Sequence, residues 1–129
     1  MALRILYFIF GVLSVVNGAW MLLAPESWYN DLPAGVPDTG PYNGHLIRDL
    51  GLVFVMIAGG FFWAASKLSQ SRPILFVITF FFAGHAILHL LDLLTSRLPH
   101  SHWTLDAPAV FLPAVLLICL NFVPNKYLK

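Results

Sequence analysis

Two short runs of ionisable side chains interrupt long apolar stretches. His85, His89 and Asp92 are spaced i, i+4, i+7, and His45, Arg48 and Asp49 are spaced i, i+3, i+4. On an α-helix each run makes one stripe on one face. Two imidazoles one turn apart are a helical metal-ligand pattern, and His45 with Asp49 or Asp92 would complete a nitrogen and oxygen shell. A shell without thiolate suits Zn, Fe or Cu(II) better than Cu(I). The one thiol, Cys119, stands far from both runs and reads as an inert small apolar residue.

Two other chemistries use the same residues. His45 with His85 or His89 would make axial ligands for a haem packed by phenylalanines, although 129 residues are few to enclose a macrocycle. Alternatively, His85, His89, Asp92, Arg48 and Asp49 form an interhelical hydrogen-bond and ion-pair network, with Arg48 as charge partner of Asp92.

The elements that carry these stripes follow from composition. Hydrophobic residues make up 59% of the chain and charged residues 10%, against roughly 25% charged in a soluble domain. Such a chain cannot cover itself with a charged surface, so it needs lipid or a large obligate partner. A net charge of +1 and the lack of a dense basic run argue against nucleic acid as a partner. One cysteine excludes an internal disulfide.

A membrane-crossing helix needs about 20 mostly apolar residues. Four stretches qualify, at about 3–24, 41–66, 73–95 and 105–123, so the expected fold is all-α, a single membrane domain built as a four-transmembrane-helix bundle. The first stretch begins after Arg4 like a signal peptide, but Asn17-Gly18-Ala19 is a poor cleavage site, so it reads as a retained helix. Asp38, Thr39 and Pro41 look like the start of the second helix. Asp106, just before Ala107-Pro108, looks like the N-cap of the fourth. Pro113 should kink that helix and free the carbonyl of Ala109. Gly11, Ser14 and Gly18 on the first helix, and Gly51, Ala58 and Gly59 on the second, read as close-packing faces. The 25–40 connection, with Trp28 and Tyr29, reads as an interfacial segment anchored by aromatics, or as a cover over a site. His100 and His102 fall in the last connection, where solvation is expected.

Lysine and arginine counts set the orientation. Arg4, Lys67, Arg72, Lys126 and Lys129 lie on one side, against Arg48 and Arg97 on the other, which is five to two. Both termini are therefore expected in the cytoplasm. Trp20, Trp28, Tyr29, Tyr42 and Trp103 would form the outer aromatic belt, and Tyr7, Trp63 and Tyr127 the inner one. All six acids and all five histidines fall on the outer half. At about 1.5 Å rise per residue, His85 is expected roughly 15 Å below the end of its helix and His89 roughly 9 Å. Asn17 lies about two turns below the same surface. Ionisable groups at that depth cost about 3 kcal/mol or more in lipid, so both stripes should turn inward and share one outward-opening pocket with Asn17 and Asp106.

The string Pro41-Tyr42-Asn43-Gly44-His45-Leu46-Ile47-Arg48-Asp49-Leu50-Gly51, with His85-x3-His89-x2-Asp92 and His102-Trp103-x2-Asp106-x-Pro108, resembles small bacterial four-helix membrane proteins. The resemblance covers about residues 1–123. It implies a bacterial inner-membrane setting and no particular activity. The expectation is then a metal-binding membrane protein, catalytic or not, with His45, His85, His89, Asp49 and Asp92 as candidate ligands. The rivals are an accessory subunit of a larger membrane complex with a structural polar cluster, and a small transporter or proton relay. Without a visible inverted repeat, a transporter would need a homo-oligomer.

Overall fold

The computed structural model describes residues 1–124. Lys126, Tyr127 and Lys129, counted above in the charge bias and the inner belt, lie outside the described residues. Helix α1 covers Ala2–Leu23, α2 Pro25–Asp31, α3 Gly44–Ser66, α4 Arg72–Leu94, α5 His102–Asp106 and α6 Leu112–Asn121. Helix α5 continues into α6 through a π-helical stretch, Ala107–Phe111, so His102–Asn121 runs as one unit. Four helices are thus long and apolar enough to cross a membrane, and no strand occurs among the described residues. Large side chains such as Met56, Phe76 and Phe80 stand exposed on their outer faces, as lipid contact requires.

The ends pair as an up-and-down bundle. Arg4 donates to the carbonyls of Ala65 and Ser66 at 3.4 Å, which joins the start of α1 to the end of α3. Arg72 at the start of α4 donates to the carbonyls of Asn121 and Val123 at the end of α6. A cation on the unpaired carbonyls of a helix C-terminus is favourable. Two of the basic residues that bias the topology therefore also cap their neighbours. Tyr7, Phe61, Leu75, Phe82, Ala114 and Leu117, from all four long helices, share one buried core toward this end.

Helices α1 and α3 pack most extensively. A Cβ on Gly18 would meet the Gly51 carbonyl oxygen at 2.8 Å, and a Cβ on Gly51 would meet the Gly18 oxygen at 3.0 Å. Lipid tails are as apolar as leucine, so close backbone approach of this kind, rather than hydrophobic burial, holds membrane helices together. Gly11 takes the Phe62 ring, and Ser14 and Ala58 are buried as expected. Gly59 is exposed with open space beside it; Gly60, under Ile74 and Ile78, makes the close contact to α4 instead.

Two helix starts differ from expectation. Helix α3 begins at Gly44, where the Asn43 side chain accepts the Leu46 N–H at 3.1 Å. Residues 36–39 form a separate 3-10 turn, and Gly40 at φ 147° stops it. Asp38 and Thr39 therefore cap nothing in α3. The last long helix starts at His102, three residues before the expected Leu105, so Asp106 is a residue inside it with no side-chain capping bond. Pro113 stands in the first turn of α6, and the irregularity in this helix is a π turn just before it. There the Leu112 N–H bonds to the Ala107 carbonyl, five residues back. The wider turn brings Pro108, Ala109 and Val110, three consecutive residues, onto one cavity wall.

Candidate metal centre and intramembrane cavity

In the half of the bundle away from the shared core, the helices enclose a cavity of about 840 Å³. Its walls include Phe10, Leu13 and Asn17 of α1, Phe54 of α3, Phe81, Phe82, His85 and His89 of α4, and Asp106, Pro108, Ala109, Val110 and Pro113 of the last helix. The 25–40 connection adds a further wall with Trp28, Tyr29, Leu32 and Val36, next to Leu46, Ile47 and Leu50 at the start of α3. That connection is both an aromatic-rich segment and a cover. Trp28 donates from its indole N–H to the Asn17 amide oxygen at 2.9 Å, and the Tyr29 hydroxyl donates to the Gly40 carbonyl at 2.8 Å. Asn17 thus ties the cover to α1.

The polar centre lies where α4 meets the last helix. Asp106 is fully buried, and both its carboxylate oxygens are engaged: Oδ2 lies 2.8 Å from His89 Nδ1 and Oδ1 lies 3.1 Å from His102 Nδ1. His102 is also fully buried, and its Nε2 lies 3.2 Å from Asp38 Oδ2. A buried carboxylate is tolerated only when its lone pairs are used, and here two imidazoles use them. An ionised carboxylate only accepts, so both Nδ1 atoms facing Asp106 carry hydrogen. His102, between two carboxylates, donates from both nitrogens.

The His102 contacts also fasten the cover. Asp38 belongs to the 3-10 turn, so the bond at 3.2 Å ties the 25–40 connection to the last helix. Gly35, at φ 63°, lies against the same ring: a Cβ there would be 3.0 Å from His102 Nε2. Glycine meets both demands, the left-handed backbone and the close approach.

Of the residues singled out in the sequence, the structure brings His85, His89, Asn17 and Asp106 to one cavity. His85 and His89 stand with ring centroids 4.5 Å apart. It does not bring the α3 stripe there. His45 and Asp49 pair with each other at 3.4 Å with side chains 89% and 57% exposed, and Arg48 is exposed. They occupy the first turns of α3, at the end of the bundle, where a charged group reaches water or lipid headgroups without turning inward. Asp92 likewise pairs outside the cavity, with Arg97 at 3.5 Å, so the proposed Arg48–Asp92 pair is replaced by a local one at the end of α4.

The residues missed in the sequence are Asp38 and His102. His102 is buried rather than solvated, and it forms the ligand-like group with His89 and Asp106, whose donor atoms all lie within 4.8 Å of one another. Its signal was present: His102 and Asp106 are spaced i, i+4, like the other two pairs. A helix expected to begin at Leu105 leaves His102 outside it and hides the pattern. Asp38 has no local signal, since its partner is 64 residues away. Searches among protein-family models, curated proteins and solved structures find no match to the chain.

Proposed function

We propose that the protein is a single-domain integral membrane protein of a bacterial inner membrane, with both termini cytoplasmic. In this reading its polar centre binds one divalent transition metal, Zn, Fe or Cu(II), in the outward-facing half. One observation carries the metal assignment: two histidines and a buried carboxylate converge with their donor atoms within 4.8 Å. Two imidazoles and one carboxylate are a recurrent ligand set for zinc and non-haem iron, and they leave coordination positions open. Bonds of about 2.0–2.2 Å set tetrahedral donors roughly 3.4 Å apart. The N–O spacings of 2.8 and 3.1 Å would open by about 0.6 and 0.3 Å to reach it, and no two donor atoms stand more than 4.8 Å apart. A metal on His102 Nδ1 would leave His102 Nε2–H on Asp38, the carboxylate-to-histidine support that fixes ligand rings in metal sites. His85, with its ring centroid 4.5 Å from that of His89, lines the same cavity wall.

The test is elemental analysis of protein prepared without chelators, beside His89→Ala and Asp106→Asn. The expected result is about one equivalent of metal in the wild type and its loss in both variants. Less than about one tenth of an equivalent in the wild type overturns the assignment, because a useful site is mostly filled at working metal concentrations.

A second reading rests on the same short contacts. At 2.8 and 3.1 Å, Asp106 is already fully hydrogen-bonded, as a purely structural latch would be. An accessory subunit of a larger membrane complex needs no more than that. In that case metal is absent from every sample, and the substitutions act on stability alone.

A further inference from the structure

The four long helices do not close evenly around the cavity. Helix α1 packs along α3, α3 along α4 and α4 along α6, but α1 and α6 make no comparable contact. Both contribute to the buried core at one end, through Tyr7 and Leu117. In the other half both line the cavity instead, and Leu13 of α1 and Ala109 before α6 are at once cavity-lining and exposed. The cavity therefore meets the outer, lipid-facing surface along the seam between the first and last helices, and its other exposed lining residues, such as Pro41, Tyr42 and Leu46, stand at the end of the bundle by the start of α3.

The lining suits a particular occupant. The walls are apolar and aromatic, with Leu13, Phe54, Phe81 and Phe82 along the deep part. A volume of about 840 Å³ is within the usual range for a site that encloses a small organic ligand. The polar groups are few and convergent. Asp106 has both oxygens occupied, and His89 Nδ1 is held by it. His85 lines the same cavity, stacks near Phe81 with ring centroids 6.3 Å apart, and makes no hydrogen bond to another described residue. Its imidazole offers one donor and one acceptor to whatever occupies the cavity. An anionic head group would face the Asp106 carboxylate. A cationic one would find the one carboxylate of the lining, Asp106, with both oxygens already bonded to His89 and His102. An uncharged carbonyl or hydroxyl avoids both conflicts.

We propose that this cavity is a binding site for a membrane-dissolved lipid with an uncharged hydroxyl or carbonyl head, which enters from the bilayer through the seam between α1 and α6 and hydrogen-bonds to His85. The site stands on the cavity, the seam and the free imidazole, and it does not depend on the metal. If the metal is present, the lipid head lies beside it, and the lipid becomes the candidate substrate of that centre.

The probe is a sixteen-carbon alcohol carrying a photoactivatable diazirine in mid-chain, added to the protein in phosphatidylcholine nanodiscs. Labelled residues are read by mass spectrometry, in chelator-treated and in metal-supplemented samples. Expected is saturable labelling of Leu13, Val110 and their cavity neighbours. Unlabelled hexadecanol should compete at the same membrane mole fraction, and hexadecane should not. Ala109→Trp, which fills the cavity from an exposed position, should abolish the saturable component. His85→Leu should weaken it roughly three- to tenfold, the loss of one hydrogen bond. Circular dichroism and thermal unfolding establish that both variants are folded. Equal competition by hexadecane, labelling no higher than at the lipid-facing Leu52 and Met56, or full labelling of folded Ala109→Trp would each overturn the site. Metal content is measured on the same samples, so loss of the lipid site and loss of the metal site are read separately.

Discussion

Replacing Asp106 by Ala tests how much the buried centre holds the bundle together. The substitution removes the acceptor of two imidazole N–H groups. His89, with its side chain 17% exposed at the cavity wall, can recover a hydrogen bond from water there, so its loss is about 0.5–1 kcal/mol. His102 is 0% exposed and has no such recourse. An orphaned buried donor costs about 1–3 kcal/mol. The sum is a destabilisation of about 1.5–4 kcal/mol, at or below the lower side of the range for breaking a buried charged pair. The double variant Asp106→Leu with His102→Leu removes donor and acceptor together and should recover much of the loss, because an apolar replacement of a whole buried pair is often neutral. The control is Asp49→Ala: its partner His45 is exposed, so the change should be less than about 0.5 kcal/mol. Reversible unfolding in mixed micelles, followed by circular dichroism with a chelator present, measures all three. A cost below about 1 kcal/mol for Asp106→Ala, or a double variant worse than the single one, would refute the account of Asp106 as the charge that two histidines must satisfy.

Gly35→Val should destabilise by about 2 kcal/mol and loosen the cover, since it forces a branched residue to φ 63° and puts a Cβ 3.0 Å from His102 Nε2; faster proteolysis within residues 25–40 is the readout. Gly18→Leu should separate α1 from α3, because the new side chain meets the Gly51 carbonyl at 2.8 Å from its first carbon, and thermal unfolding should fall while Gly59→Leu, in open space, leaves it unchanged. If a metal is bound, acidification should release it, because imidazole ligands must be deprotonated to coordinate; retention at the lowest pH at which the protein stays folded would count against histidine ligation. A reporter fused after Lys129 should be active in the cytoplasmic form alone, and activity of a periplasmic reporter there would invert the assigned orientation.

Apolar run length by itself determined the four long helices, since lipid leaves the backbone no other way to satisfy its polar groups. The i, i+4 spacings determined which residues share a face, and the depth of His85 and His89 determined that their face turns inward. For His45, Arg48 and Asp49 the same reasoning led to the wrong side. Near a helix end the penalty for facing outward vanishes, and only packing chooses the face. Gly18 and Gly51 were legible as close-packing residues, whereas the choice between Gly59 and Gly60 depended on where α4 lies. The partnership of Asp106 with His89 and His102, and of His102 with Asp38, was decided by the tertiary structure alone. It joins three segments whose order in the chain carries no trace of their meeting. The reason is physical: local periodicity follows from backbone geometry, but a buried carboxylate takes its donors from whichever helices the bundle brings within about 3 Å.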